Sequence, residues 1–125
     1  MKIDHIGLVN NSEEAAVRFY REVLGLEKTR ESTVAPELSL QLFSLPREIR
    51  MLVFEREGVK IEVFIIETER PVTNIHHFCL AVHDFPEFMT RAREAGARII
   101  TAERGDKVVY FIEDFSGNLI EIKAV

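Results

Sequence analysis

Two histidines and two glutamates recur at matching places in the sequence and together could hold a metal ion. His5 and His77 each lie two residues after an isoleucine, inside an apolar run. Glu62 and Glu121 each complete an Ile-Glu pair that begins three residues after a glycine. Imidazole and carboxylate ligands suit Zn, Ni, Co, Mn or Fe(II), and four protein ligands leave open positions on a metal that prefers six. The four residues therefore predict a catalytic metal site rather than a closed structural one.

These residues belong to a unit that the chain contains twice. A helix cap follows each histidine, Ser12 in the first copy and Asp84 in the second, and Gly25 and Gly96 could end the two helices. Apolar periodicity predicts a strand, a helix and three further strands in each copy. We therefore expect an α+β fold in which two tandem βαβββ modules form a curved mixed sheet around a metal cleft.

One domain of residues 1–125 accommodates both copies, because 125 residues with a hydrophobic share of 46% can bury a core. We assign residues 1–67 to the first module, 68–73 to a linker and 74–125 to the second module. The predicted elements are strands at 1–9, 26–34, 49–55 and 59–66 with a helix from Ser12 to Gly25, then strands at 75–82, 97–101, 107–113 and 118–123 with a helix at 84–95. Residues 32–47, which contain Pro36 and Pro46, show no regular period and are predicted to be irregular.

Composition excludes several classes of function. The net charge of -5, with acidic and basic residues interspersed, argues against a nucleic-acid surface. Cys79 is the single cysteine, so the chain has no internal disulfide. No apolar run approaches the roughly 18 to 20 residues that span a bilayer. We expect a cytoplasmic protein that binds a small molecule and neither nucleic acid nor a membrane.

Strand alternation predicts which face carries the four polar residues. It places Ile6 and Leu8 beneath the first helix and Phe78, Leu80 and Val82 beneath the second. His5, Glu62, His77 and Glu121 then lie on the opposite faces, and we expect those faces to close on one cleft. Small residues on this side, Gly7, Cys79 and Ala81, would leave room over the metal, and Tyr110 is a candidate to line the cleft.

Other histidines and the cysteine are competing candidates. His76 could replace His77 as a ligand, but alternation turns it to the helix side and the repeat aligns His77 with His5. His83 lies beside the helix cap and is expected at the surface. Cys79 could be a soft ligand or a reactive thiol, and we favour a small buried wall residue.

The two βαβββ copies, with His-Ile-Gly-Leu opening one and Ile-Glu closing each, resemble the vicinal oxygen chelate superfamily of glyoxalase, bleomycin resistance and dioxygenase proteins. The resemblance covers the whole chain and includes the stretches Phe19–Leu26 and Glu113–Asn118. Carried over by position, His5, Glu62, His77 and Glu121 match the metal ligands of bacterial-type glyoxalase I. The resemblance thus supports the ligand set that the repeat predicts.

What the resemblance implies is a metal-dependent lyase or isomerase of the glyoxalase I type. Such an enzyme binds a substrate with adjacent oxygens, removes a proton α to a carbonyl and stabilises an enediolate. Glu121 is the first choice of catalytic base and Glu62 the second. The resemblance also implies a homodimer with modules exchanged between chains. Glutathione-using relatives carry an arginine where this chain has Val9, which makes a glutathione cofactor doubtful.

Three alternatives stay open. A metal-dependent epimerase of the methylmalonyl-CoA type would use the same chemistry, although such epimerases usually have Gln at the position of Glu62. An Fe(II) oxygenase could use the same ligands. A non-enzymatic module could bind a hydrophobic small molecule in the cleft.

The leucine-rich segment Ser32 to Arg47 could be a lid over an apolar substrate or could pack on a partner chain.

Overall fold

The computed structural model describes residues 1–67 and 75–125. The first module contains β1 (Ile6–Asn10), α1 (Glu13–Arg18), β2 (Glu27–Val34), α2 (Pro36–Phe43), β3 (Ile49–Arg56) and β4 (Val59–Ile65). The second module contains β5 (His77–Val82), α3 (Phe85–Glu94), β6 (Arg98–Arg104), β7 (Lys107–Glu113) and β8 (Leu119–Ala124). The linker predicted at 68–73 lies outside the described residues.

The two modules have the same sheet topology. The first sheet has the strand order β1-β4-β3-β2 and the second has the order β5-β8-β7-β6. In each sheet the first strand, β1 or β5, runs parallel to the last strand, β4 or β8, and the other pairings are antiparallel. The predicted α+β fold with two tandem βαβββ modules is confirmed.

The helix boundaries follow from the caps. The Ser12 hydroxyl accepts a hydrogen bond from the Ala15 amide, and the Asp84 carboxylate accepts one from the Glu87 amide, as the sequence predicts. The first helix continues past α1 as a π-helical segment, Phe19–Val23. Gly25 then takes a φ of 70°, a left-handed conformation that glycine adopts without a Cβ clash and that ends the helix.

The prediction that residues 32–47 are irregular was wrong, because residues Pro36–Phe43 form α2. Pro36 occupies the first turn, where its fixed φ suits a helix and its missing N–H is not needed. The helix ends at Ser44, whose φ of 59° is left-handed. The N-cap gives no signal in the sequence, since Ala35 stands there and makes no side-chain cap bond.

Two strands are shorter than predicted at their starts. Pairing between β1 and β4 begins at Ile6 and Ile61, and pairing between β5 and β8 begins at His77 and Leu119. The residues that precede these points make no pairing with β4 or β8 and are not part of the sheets. His5 therefore lies just before β1, and His77 is the first residue of β5.

One continuous core joins the modules through their helices. It contains residues of the first helix, of α3 and of the helix-facing sides of both sheets: Ala16, Phe19, Tyr20, Val23, Leu52, Phe54, Ile61, Val63, Phe88, Met89, Ala92, Ile112, Ile120 and Ile122. Tyr20 stacks on Phe54 of its own sheet, whereas Phe19 packs edge-on against Phe115 of the other module, with ring centroids 5.2 Å apart. The helices thus lie between the sheets, and the other face of each sheet is turned away from this core.

A buried polar network at Asp114 crosses the same junction. The carboxylate accepts hydrogen bonds from the Tyr20 hydroxyl at 2.8 Å, the Asn10 amide group at 3.2 Å and the Asn118 amide group at 2.7 Å. Asp114 is 3% exposed. A buried carboxylate is costly unless it is satisfied, so these bonds also fix the orientation of one module against the other.

Among the described residues, no helix combines the length and apolarity that a membrane crossing would need.

Candidate metal centre

His5 and Glu62 lie close together on the open face of the first sheet, which is the face turned away from the core between the helices. Glu62 lies opposite Gly7 in the pairing of β4 with β1, two residues beyond the histidine. The His5 Nε2 and Glu62 Oε2 atoms are 3.4 Å apart, and the Glu62 side chain is 16% exposed. Because Ile61 and Val63 on either side are in the core, alternation directs the carboxylate away from the helices.

His77 and Glu121 repeat this arrangement on the second sheet. Glu121 lies opposite Cys79, again two residues beyond the histidine. The His77 Nε2 and Glu121 Oε2 atoms are 3.8 Å apart, and the Glu121 side chain is 17% exposed. The two modules thus place one histidine beside one glutamate at equivalent positions.

Both histidines are oriented by an acceptor at the other ring nitrogen. His5 Nδ1 donates to Asp4 Oδ1 at 3.0 Å, and His77 Nδ1 donates to the Ile75 carbonyl at 2.8 Å. The hydrogen bond from His5, with the charge of Lys60, lowers the pKa of Asp4, so that carboxylate stays ionised and can only accept. Each Nε2 lies toward a glutamate, and with Nδ1 as the donor it is the nitrogen that a neutral ring would present to a metal.

The two glutamates differ in one respect. Lys123 on β8 places its ammonium 3.3 Å from Glu121 Oε1. Among the described residues, Glu62 contacts no lysine or arginine. Lys60, two residues from Glu62, lies 3.8 Å from Asp4 instead.

The ring beside the second pair belongs to Phe111 rather than to Tyr110. Phe111 lies opposite Glu121 in the register, and its ring centroid is 5.0 Å from that of His77. Tyr110 packs against Phe85 on the helix side, so the expectation that it lines the site was wrong. The run Val108 to Ile112 is apolar on both faces, and alternation cannot orient it.

The helix α2 lies against the open face of the first sheet. Val53 and Met51 stand opposite Glu62 and Phe64 in the register, so they share that face. Both are nearly fully buried although they lie outside the inter-helix core. The Phe43 ring of α2 contacts Phe64, with centroids 5.4 Å apart. These side chains therefore form an apolar surface beside Glu62, because Phe64 follows Glu62 by two residues on β4.

The remaining candidates do not join either pair. His76 and His83 are exposed, as is Cys79, which was expected to be a buried wall residue. Partial burial and the negative charge of Glu121 raise the pKa of the Cys79 thiol. This disfavours the thiolate that metal binding or nucleophilic attack would require.

One copy of the chain does not bring all four residues together. Within residues 1–67 and 75–125 there is no group of three or more His, Cys, Asp or Glu side chains that could hold a metal ion. A cleft of about 590 Å³ between the modules is lined by residues such as Leu24, Val59, His83 and Phe88, and by none of the four. The expected closure of the two open faces within one chain was wrong, because the modules pack through their helices.

The whole of this architecture has a counterpart among known proteins. The model of the Glyoxalase/Bleomycin resistance protein/Dioxygenase superfamily matches residues 2–122, and the chain belongs to that superfamily. Its sequence is 30% identical over 138 residues to the ethylmalonyl-CoA/methylmalonyl-CoA epimerase of Cereibacter sphaeroides, with 99% of this chain and 98% of that protein covered. That relative is an enzyme, and the similarity extends over its full length.

Solved structures share the fold. A glyoxalase family protein from Enterococcus faecalis has a TM-score of 0.73 at 21% identity, covering 97% of this chain and 95% of that one. A mutant of the fosfomycin resistance protein FosX from Listeria monocytogenes, complexed with Mn(II) and 1S,2S-dihydroxypropylphosphonic acid, has a TM-score of 0.73 at 18% identity, covering 99% and 92%. Divalent metal binding therefore occurs on this fold.

Proposed function

We propose that the protein is a metal-dependent epimerase that moves a proton at the carbon α to a carbonyl. The observation that carries the proposal is the matched geometry of the two pairs, in which Nδ1 of each histidine donates to an oxygen and Nε2 faces a glutamate. Two such pairs supply two nitrogens and two carboxylates, a donor set that fits a divalent ion of Ni, Zn, Co, Mn or Fe.

His5, Glu62, His77 and Glu121 would hold the metal. When bound, the ion supplies electrostatic stabilisation for the negative charge that develops on the substrate oxygens. Asp4 and the Ile75 carbonyl keep the imidazoles in the tautomer that binds. The open faces leave space for substrate, since Gly7, Cys79 and Ala81 are small and exposed.

Glutamate carboxylates carry the proton in this proposal. One takes the α proton as the C–H bond breaks, and a proton returns to the opposite face of the same carbon from the other side of the site. Glu121 is the first candidate for the base and Glu62 the second, since both are carboxylates on the open faces of the sheets and either could loosen from the metal to take the proton. Two carboxylates from two modules give the two faces that epimerisation requires.

The complete site is proposed to form between two copies of the chain. The first module of one copy would face the second module of the other, so that a homodimer holds two sites. We call each histidine–glutamate pair a half-site. The modules pack through their helices, so the two half-sites of one chain face away from each other and cannot meet, which supports this arrangement. Exposed apolar residues of α2, among them Leu38 and Leu42, would then lie near the junction of the copies.

The epimerase relative favours methylmalonyl-CoA or ethylmalonyl-CoA as substrates over the glyoxalase I reaction. Lyase or isomerase activity of the glyoxalase I type is the second candidate, favoured by the acidic residue Glu62 in the ligand set. Both reactions begin with loss of an α proton, so they share the site and differ in substrate. Val9 argues against glutathione in either case.

Solvent exchange separates these possibilities. In deuterium oxide, purified protein loaded with Mn²⁺, Co²⁺, Ni²⁺ or Zn²⁺ should place deuterium at the α carbon of methylmalonyl-CoA and interconvert its two epimers without oxygen consumption. Conversion of a hemithioacetal without epimerisation would support the glyoxalase reaction instead. Oxygen uptake with Fe(II) would indicate an oxygenase, and failure to bind any of these metals would reject all the metal enzymes in favour of a binding module.

A further inference from the structure

The carboxylate of Glu121 stands between two nitrogen groups. His77 faces one oxygen and the Lys123 ammonium faces the other, at 3.3 Å. Lys123 follows Glu121 by two residues on β8, so both side chains lie on the open face. The Lys123 side chain is 62% exposed, and it stands opposite Ala81, a small exposed residue that leaves space around the ammonium.

Among the described residues, Lys123 is the cation paired with a glutamate of the proposed metal site. Lys60 on the first sheet lies near Asp4, and Arg98 on the second is paired with Glu113, so both keep a carboxylate when a metal binds. Glu62 and Glu121 together balance a divalent ion. With a metal held there, the ammonium of Lys123 would be an excess positive charge beside Glu121.

We propose that Lys123 selects substrates that carry a carboxylate next to the oxygens that bind the metal. An ammonium has three donors, and the ion pair with Glu121 occupies one side of the group, which leaves donors for a substrate oxygen. This inference rests on the proposed function, since it assumes a metal at Glu121. It assigns specificity to a side chain that neither holds the metal nor moves the proton.

The test uses the full-length protein loaded with Mn²⁺ and two probes of similar shape. Malonate has two carboxylates, whereas in malonamate one carboxylate is replaced by a neutral amide. Isothermal titration gives the malonate preference, the ratio of the two dissociation constants, for wild type and for Lys123→Met. The expected result is a malonate preference about tenfold smaller in Lys123→Met, as the loss of one charge-assisted hydrogen bond implies. Lys123→Arg should keep most of the preference.

The matched control is Lys107→Met, which removes an exposed lysine at the start of β7 and should leave the preference at the wild-type value. An unchanged preference in Lys123→Met, with Mn²⁺ and malonate still bound, overturns the role of Lys123 while the metal site stands. Failure of the wild-type protein to bind Mn²⁺ overturns this inference together with the proposed function.

Discussion

The Tyr20 hydroxyl donates a hydrogen bond of 2.8 Å to Asp114 and thereby joins the first module to the second at a fully buried position. Tyr20 also stacks on Phe54, so the same ring ties the inter-module network to the first sheet. This contact belongs to the junction that holds the helices of the two modules together. The orientation of the half-sites, each facing away from its own chain's core, follows from that junction.

Removing the hydroxyl tests how much this bond contributes. Tyr20→Phe leaves the ring in place but removes a donor from a buried carboxylate, so the free energy of unfolding should fall by about 1–3 kcal/mol. Urea denaturation measures the change. Tyr110→Phe is the matched control, because within the described part of the chain its hydroxyl makes no hydrogen bond, and we expect a change below about 0.5 kcal/mol. Equal effects of the two substitutions would contradict the assigned role of Tyr20.

Stability should also fall in alkali. Burial, followed by the negative charge and the hydrogen bond of Asp114, raises the pKa of Tyr20 well above its ordinary value. The unfolded chain therefore loses this proton at lower pH than the folded chain. The stabilisation is fully present below about pH 10, the value for an exposed tyrosine, and is lost as pH rises toward the folded-state pKa. Unfolding titrations from pH 9 to 12 should show a steeper decline for wild type than for Tyr20→Phe.

Ser39 offers a test of the packing of α2. Its side chain is fully buried, and within residues 1–67 and 75–125 its hydroxyl oxygen has no hydrogen-bond partner. Ser39→Ala removes an unsatisfied polar atom and introduces a better helix former, so thermal unfolding should show unchanged stability or a gain of up to about 1 kcal/mol. A loss of stability in Ser39→Ala would mean that the hydroxyl has a hydrogen-bond partner in solution.

The orienting carboxylate beside His5 should affect metal affinity. Asp4→Ala removes the acceptor at His5 Nδ1, and we expect Mn²⁺ or Zn²⁺ to bind about tenfold more weakly. This factor is at the low end for residues that hydrogen-bond to a metal ligand, because the Asp4 side chain is 69% exposed. Asp106→Ala, in the turn between β6 and β7, is the control for loss of one surface carboxylate. Unaltered affinity in Asp4→Ala would show that Asp4 does not orient the ring.

The ligand assignment itself is tested by single substitutions of the two adjacent histidines. His77→Ala should lower metal affinity more than about 10–100-fold, the range typical of residues that only hydrogen-bond to a metal ligand. His76→Ala should leave metal affinity unchanged. The reason is that His77 Nε2 faces Glu121 and His76 is exposed before β5 begins. Metal loss in His76→Ala with retention in His77→Ala would reverse the assignment.

The faces on which the two glutamates lie could be predicted from the sequence because they depend on short-range order, whereas the role of the four residues as metal ligands stays a prediction. Strand alternation puts Glu62 and Glu121 on the open faces, and the repeat identifies the histidine that accompanies each. Phe111 was missed because its strand is apolar on both faces, so period two carries no information there. The packing of the modules was missed for a similar reason. Phe19 and Tyr20 are adjacent apolar residues on one helix, and nothing in their spacing says that one contacts Phe54 and the other Phe115.

The composite site is tested most directly by metal content in mixed dimers. One variant carries His5→Ala and Glu62→Ala, and the other carries His77→Ala and Glu121→Ala; each alone should bind no metal. Coexpression with two different affinity tags allows the mixed dimer to be isolated. If sites form between copies, one site of the mixed dimer is intact and the dimer holds about half the wild-type metal. A mixed dimer without metal, beside a wild-type protein that binds it, would contradict a site shared between two chains.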